Sequence, residues 1–132
     1  MHKFQLVILV FLLLSCNSES SKKSHSTETV ANLITINKTG EALFLEYCRE
    51  CHAKTMINDL TAPPLGGVMK KRGKEWTYSY TRNSQKMHEQ GDSIALALRA
   101  KNWGLMPAYE ELSNADLDSL YAYIEYQYQQ NK

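Results

Sequence analysis

The sequence predicts an all-α protein, and three observations carry that expectation. Apolar residues recur at helical spacing both early and late in the chain. A capping-box pattern opens the last such segment. No stretch alternates apolar with polar residues in the way a half-buried strand would. In the first segment, residues 40–47, Leu43, Phe44 and Tyr47 fall on one face of a helix. Residues 54–74 carry Pro63, Pro64, Gly66, Gly67 and Gly73, which predicts loop. Residues 75–82 read as a short helix with Trp76 and Tyr80 on one face. Residues 93–101 read as another, with Ile94, Ala97 and Leu98 turned inward. In the last helix Ser113 and Asp116 form the capping box, and Leu112 and Leu117 stand where a hydrophobic staple places them. Leu117, Leu120, Tyr121, Ile124 and Tyr128 then follow at helical spacing.

The run Cys48-Arg49-Glu50-Cys51-His52 carries the chemistry. Cys-x-x-Cys-His is the attachment pattern of a c-type haem. Two thiols separated by two residues can add across the two vinyl groups of one porphyrin, and the adjacent imidazole then reaches the iron. Zinc would need four ligands, commonly a second Cys or His pair. Here the other cysteine is Cys16, and His2, His25 and His88 are scattered. A thioredoxin-like pair expects alternating strands and helices around it, which the pattern lacks. The motif occurs once and the chain shows no internal repeat, so one covalently bound haem c is expected. No pairing of nucleophile with base, and no paired carboxylates, suggest a catalytic site. The expectation is an electron-transfer protein and not an enzyme.

The N-terminus reads as an address. After a short basic start, residues 4–14 are apolar apart from Gln5. Eleven residues are too few to span a bilayer, where about 20 are needed, but they suit the core of a secretory signal. Leu13-Leu14-Ser15-Cys16 resembles a bacterial lipobox, in which cleavage leaves the cysteine first and lipidated. An ordinary signal peptide with an incidental cysteine is the alternative. One acyl chain binds a membrane only marginally; the resemblance to lipoproteins implies several on Cys16. Residues 17–32 hold almost no large apolar side chain and are expected to be flexible. The chain thus divides into a signal peptide (1–15), a lipidated Cys16 with a flexible tether (16–37), and one domain (38–132). The tether would span roughly 25 Å. Its end, residues 30–36, is apolar enough at Leu33, Ile34 and Ile36 to pack on the domain as an extended arm.

A domain of that size with moderate apolar content has a thin core of its own, and a porphyrin would supply the missing apolar centre. With His52 as one axial ligand, an electron carrier needs another, and Met/His ligation marks cytochromes c. Met56 is too near the motif to swing round the ring. Met69 sits among basic residues and glycines, which suggests exposure. Met106 is preferred: it lies 54 residues after His52, in a loop that Pro107 stiffens. Met87, His88 or an open position are the alternatives.

Over nearly all of 38–132 the chain resembles the class I, mono-haem cytochrome c family. Gly40 and Phe44 are placed like residues of that family's N-terminal helix, and Leu120 and Tyr123 like those of the helix that crosses it. Pro63-Pro64-Leu65 is similar to the family's Pro-x-Leu segment. The resemblance implies that the Pro63 carbonyl orients His52. It places Trp76, Tyr80, Arg82 and Asn83 in the stretch that lines the haem edge and meets the propionates; ordinary core packing is the alternative for Trp76 and Tyr80. Trp103 reads as a wall of the pocket. The chain departs from the pattern at Ala62, where glycine is common, and at Ala108 and Tyr109. The implied fold is three to five helices wrapped around one covalently attached haem. Covalent haem in bacterial c-type cytochromes is made outside the cytoplasm, which agrees with export to the periplasmic or extracytoplasmic face. Cys16 for lipid and Cys48 and Cys51 for thioethers then use every cysteine.

The formal charge is +1, and loss of residues 1–15 removes Lys3 and leaves zero. That argues against a nucleic-acid partner, which would call for a strongly basic surface. Lys70, Lys71, Arg72 and Lys74 cluster, as do Glu110, Glu111, Asp116 and Asp118, an asymmetry that can steer a charged partner. The expected function is a one-electron carrier held to the membrane through its lipid. Its expected partners are a quinol-oxidising complex and a terminal oxidase or other periplasmic redox enzyme. Two rivals are a haem-based sensor or small-gas binder, and the subunit through which electrons enter a larger redox complex.

Overall fold

A computed structural model describes residues 21–132; the signal segment 1–15 and Cys16 lie outside the described residues. Among those residues there are five α-helices and no strand, as the sequence predicts. They are α1 (Ser21–Leu43), α2 (Val68–Arg72), α3 (Lys74–Glu89), α4 (Ser93–Arg99) and α5 (Asn114–Asn131), with a π-helical turn at Phe44–Cys48 joining α1 to the haem motif. The wide turn is closed by a bond from Arg49 N–H to Phe44 O at 3.0 Å. Such turns shift the helical register by one residue, and here both Phe44 and Cys48 are buried.

The helices differ from expectation in extent more than in kind. α1 begins at Ser21, so most of the segment expected as a flexible tether is helical. No proline or glycine interrupts residues 21–39. Once the end of α1 is fixed against α5, adding residues upstream no longer carries the cost of nucleation. The arm expected to pack on the domain in extended form is helical, with Val30, Leu33 and Ile34 55, 56 and 52% exposed and Ile36 half-buried. α2 is a turn of helix inside the expected loop, entered at Gly67 (φ 68°) and left at Gly73 (φ 83°), where glycine takes positive φ without steric cost. α3 runs on to Glu89 past a break at Asn83 (φ −158°, ψ 85°). In α4 Asp92 accepts from the N–H groups of Ile94 and Ala95, capping the helix. Its buried residue is Ala95, whereas Ala97, expected inward, faces solvent; Ile94 and Leu98 are half-buried.

α5 follows the sequence closely. The Ser113 and Asp116 side chains cap each other's backbone N–H groups reciprocally. Leu112 and Leu117 are both buried, completing the staple. α5 crosses α1 at Gly40, where an added Cβ would come within 2.1 Å of Ser119 O and 2.7 Å of Tyr123 Cβ. Only glycine permits that approach. One turn on, the Phe44 ring packs against Tyr123 at 5.8 Å between centroids. Phe44, Met56, Leu117 and Leu120 are the fully buried side chains of the core, and burying Phe44 alone contributes about 2 kcal/mol. The basic and acidic clusters are not separate, since Lys74 pairs with Asp118 at 2.5 Å and Tyr78 OH donates to the same carboxylate at 2.6 Å. An exposed pair of this kind adds little stability.

Gly40→Ala is expected to destabilise the folded domain by about 2 kcal/mol or more, because backbone must shift to admit the methyl; denaturant unfolding of the haem-loaded protein measures it. Ser113→Ala should cost about 1 kcal/mol in the same assay. Hydrogen bonds from Ser113 hold the Asp116 carboxyl below its usual range, and bonds from Lys74 and Tyr78 do the same for Asp118. Their contribution is complete above the ordinary carboxylate value of about 4 and is lost as pH falls through the lower folded values. Asn at both positions should flatten that acid limb of a stability-versus-pH curve.

Candidate haem site

The attachment motif follows the π-helical turn and is folded back on itself. His52 N–H bonds Cys48 O at 3.0 Å, and Ala62 N–H bonds Cys51 O at 2.9 Å, which draws the Pro63 loop onto the motif. His52 is 8% exposed, and its Nδ1 lies 2.8 Å from Pro63 O. A carbonyl can only accept, so Nδ1 carries the proton and Nε2 keeps a free lone pair, the tautomer a metal ligand requires. Burial holds the imidazole pKa below its ordinary value, outweighing the opposite effect of the Pro63 bond. The ring is therefore neutral near pH 7. Burial, with a smaller contribution from Cys51, pushes the Cys48 thiol up to about 12. A thiol so protonated is a poor thiolate ligand, and the described residues contain no cluster of three His, Cys, Asp or Glu side chains that could cage a metal ion.

Cys48 and His52 line a cavity of about 560 Å³, a size typical of enclosed organic ligands. Of the four methionines beyond the motif, only Met106 lines it. Met56 is buried in the core and Met69 packs against that core half-buried, not exposed as its neighbours suggested. Met87 does not reach the cavity, while His88 does. The Met106 loop is held from several directions. Ser84 Oγ donates to Met106 O at 3.2 Å, and Gly104 N–H bonds Thr61 O at 3.3 Å. Tyr109 N–H bonds Arg82 O at 2.9 Å, and Tyr109 OH donates to Tyr47 O at 2.7 Å.

The break at Asn83 makes part of this possible. In an unbroken helix Lys86 N–H would bond Arg82 O. Here it bonds Asn83 Oδ1 at 2.9 Å, and Arg82 O is left for Tyr109. Arg82 and Asn83 were expected at the propionate edge, and the structure does not bring them to the cavity. Arg82 donates to Leu112 O at 3.0 Å and to Asn114 Oδ1 at 2.7 Å, anchoring the start of α5. Asn83 Nδ2 donates to Glu110 Oε1 at 2.5 Å. Their spacing on α3 gave no sign of the break, which turns both away.

Trp76 and Tyr80 do line the cavity. Their rings stack at 4.7 Å, and the Arg72 guanidinium lies 5.8 Å over Trp76. The Trp76 N–H is taken by Asp92 at 3.1 Å, so this tryptophan offers the cavity its ring face. Three wall residues escaped notice in the sequence: Thr77, Thr81 and Ser84, all buried. They recur at helical spacing on α3, a signal an apolar search passes over because the side chains are hydroxyls. Thr77 and Thr81 bond back to Gly73 O at 2.7 Å and Thr77 O at 2.9 Å. Small residues with their hydroxyls satisfied leave room for a flat ligand close to the helix.

The cavity also fits a ligand bearing acids. Lys71, Arg72, Arg99 and Lys101 line it against Asp59 and Glu89. Trp103 lines it too, and its Nε1 is the one buried side-chain polar atom among the described residues without a hydrogen-bond partner. A buried donor left so costs about 1–3 kcal/mol, and a carboxylate in the cavity would relieve it. An apolar slot, a free imidazole nitrogen, a thioether, the Cys48 thiol on the wall and an orphan donor together fit haem c, with Cys51 three residues further along the motif.

Met106→Ala should turn the low-spin absorption spectrum high-spin and let the reduced protein bind carbon monoxide. Met87→Ala should leave both unchanged. Trp103→Phe keeps the wall and removes the donor. If the indole bonds a propionate, its loss exposes negative charge, and the midpoint potential should fall by roughly 20–60 mV in a redox titration.

A family model described as cytochrome C oxidase, cbb3-type, subunit III matches residues 36–124, about two thirds of the chain. No curated protein and no solved structure matches. The match takes in the attachment motif, Pro63 and Met106. The chain belongs to this family, and its domain is a class I, mono-haem c-type cytochrome with one covalently bound haem c.

Proposed function

We propose that this electron-transfer cytochrome is a one-electron carrier of an extracytoplasmic respiratory chain, held to the membrane through a lipid on Cys16. It would take electrons from a quinol-oxidising complex and pass them to a terminal oxidase or another periplasmic redox enzyme. The observation that carries the reading is that His52 and Met106 line one cavity. His52 and Met106 would together hold the haem iron, which would leave no coordination position for a substrate or a gas and speaks against an enzyme or a sensor. The haem supplies a metal that changes charge by one. The residues fix its surroundings: Pro63 holds the imidazole proton away from the iron, Ser84 and Tyr109 restrain the Met106 loop, and α3 excludes water from one wall. Ligands so restrained keep the rearrangement that accompanies each electron small.

A second reading has its own support. The family's description names a subunit of an oxidase, so the domain could serve as the point where electrons enter a larger redox complex. Purification in mild detergent separates the two: a carrier comes away alone, and a subunit brings its partners. Reduced protein added to native membranes with oxygen should be reoxidised through the terminal oxidase. Absence of reoxidation contradicts the respiratory role. Cys16→Ser should move the haem protein from the membrane fraction to the soluble periplasmic fraction. Retention in the membrane would count against the anchor.

A further inference from the structure

The loop that brings Pro63 to His52 has little of its own to hold it. Residues 62–67 read Ala-Pro-Pro-Leu-Gly-Gly, and the two prolines offer no N–H to neighbouring carbonyls. Backbone bonds pin the loop at both ends: Ala62 N–H to Cys51 O at 2.9 Å, and Gly66 N–H to Met56 O at 2.8 Å. The second pin is set by an uncommon backbone. Met56 is 1% exposed and holds φ at 63°, a value that residues other than glycine adopt rarely and keep only where their surroundings impose it.

What closes over Gly66 comes from the last turns of α5. The Tyr128 ring lies so near that a Cβ on Gly66 would collide with its Cδ2 and stand 2.6 Å from its Cε2. At Gly67 an added Cβ would meet Cε1 of the same ring at 3.6 Å. Tyr128, Leu65 and Val68 are all half-buried against the core. Tyr128 stands beyond the stretch that the family model matches, which ends at residue 124. We propose that Tyr128 is a positioning residue for the imidazole that binds the iron. Its ring clamps Gly66, and the clamp keeps the Pro63 carbonyl on His52 Nδ1, 2.8 Å away. The inference rests on His52 as the iron's ligand, and it holds for a carrier and for an oxidase subunit alike.

The clamp works through shape. Position 66 must be glycine for the ring to come so close, and the ring must be there to deny the loop room to swing away. Leu65, Gly66 and Val68 also line the cavity, so a loop that lifts takes the carbonyl off the imidazole and part of the wall off the porphyrin. The atoms set against the two glycines are the ring carbons Cδ2, Cε2 and Cε1. The action therefore needs the ring and not the hydroxyl: phenylalanine serves at this position and alanine does not.

The His52 Nδ1–H proton of the reduced, haem-loaded protein, ¹⁵N-labelled at histidine, reports this bond by NMR. Tyr128→Ala should speed its exchange with solvent by about tenfold or more, through local opening of the loop. Tyr128→Phe should stay within about twofold of the wild type. Leu117→Ala is the control: Leu117 is fully buried on α5 and does not line the cavity. It should unfold at lower denaturant yet leave the exchange within about twofold. Equal acceleration in Tyr128→Ala and Leu117→Ala means that the tyrosine acts only through global stability, and overturns the proposal. Unchanged exchange in Tyr128→Ala overturns it too, as does exchange in Tyr128→Phe as fast as in Tyr128→Ala. Where Tyr128→Ala does not retain haem, Tyr128→Leu makes the comparison, and exchange no faster than in Tyr128→Phe overturns the clamp. A wild type with no imidazole N–H shifted by the porphyrin ring current overturns His52 as the ligand, and the inference with it.

Discussion

The bond between His52 Nδ1 and the Pro63 carbonyl is the constraint on which the site depends. It fixes which ring nitrogen holds the proton, and so which is free for iron. It also ties the attachment loop to the Pro63 segment, which Ala62 N–H bonds to Cys51 O from the other side. The motif is reached through a helix whose position is set elsewhere, at the glycine crossing of α1 and α5. Gly40, Phe44 and Cys48 therefore form one line of cause. The crossing seats the helix, the π-helical turn sets its register, and the register presents the cysteine and then the imidazole.

The part of the cavity wall that carries Met106 is built by a different device. Met106 has no secondary structure of its own, and its loop is held by groups borrowed from neighbouring elements. The break in α3 at Asn83 releases the Arg82 carbonyl for Tyr109, and the side chain of Ser84 reaches Met106 O. Breaking a helix forfeits backbone bonds, and Asn83 offsets part of that loss by capping the helix that restarts at Ser84, its Oδ1 accepting from Lys86 N–H. A thioether is a weak ligand, and a loop held this way is what would make it dependable.

Much of this was legible in the sequence, for physical reasons that differ from residue to residue. The attachment motif is readable because two thiols and an imidazole must meet one porphyrin at fixed spacing. Ser113 and Asp116 are readable because capping is local, needing only residues three apart. Pro63 was reached by resemblance, and its carbonyl stands where the resemblance implied. Arg82 and Asn83 were misplaced because their direction depends on a backbone break stabilised by contacts about 30 residues away, at Leu112 and Glu110. Ala95 and Ala97 are alike in size and apolarity, so only packing could choose between them. The helicity of residues 21–37 was missed because composition reports what a segment can bury. It does not report whether a helix already fixed downstream will extend into it.

The central claim is that one iron sits between His52 and Met106 in a porphyrin bonded to Cys48 and Cys51. Proton NMR of the fully reduced protein, with ¹³C-methyl methionine incorporated, tests it most directly. A methionine methyl held over the porphyrin face lies in the ring current and moves far upfield. The account predicts one such methyl, assigned to Met106 by its disappearance in Met106→Leu. Methionine methyls all at ordinary shifts, or an upfield methyl assigned to another methionine, would contradict it.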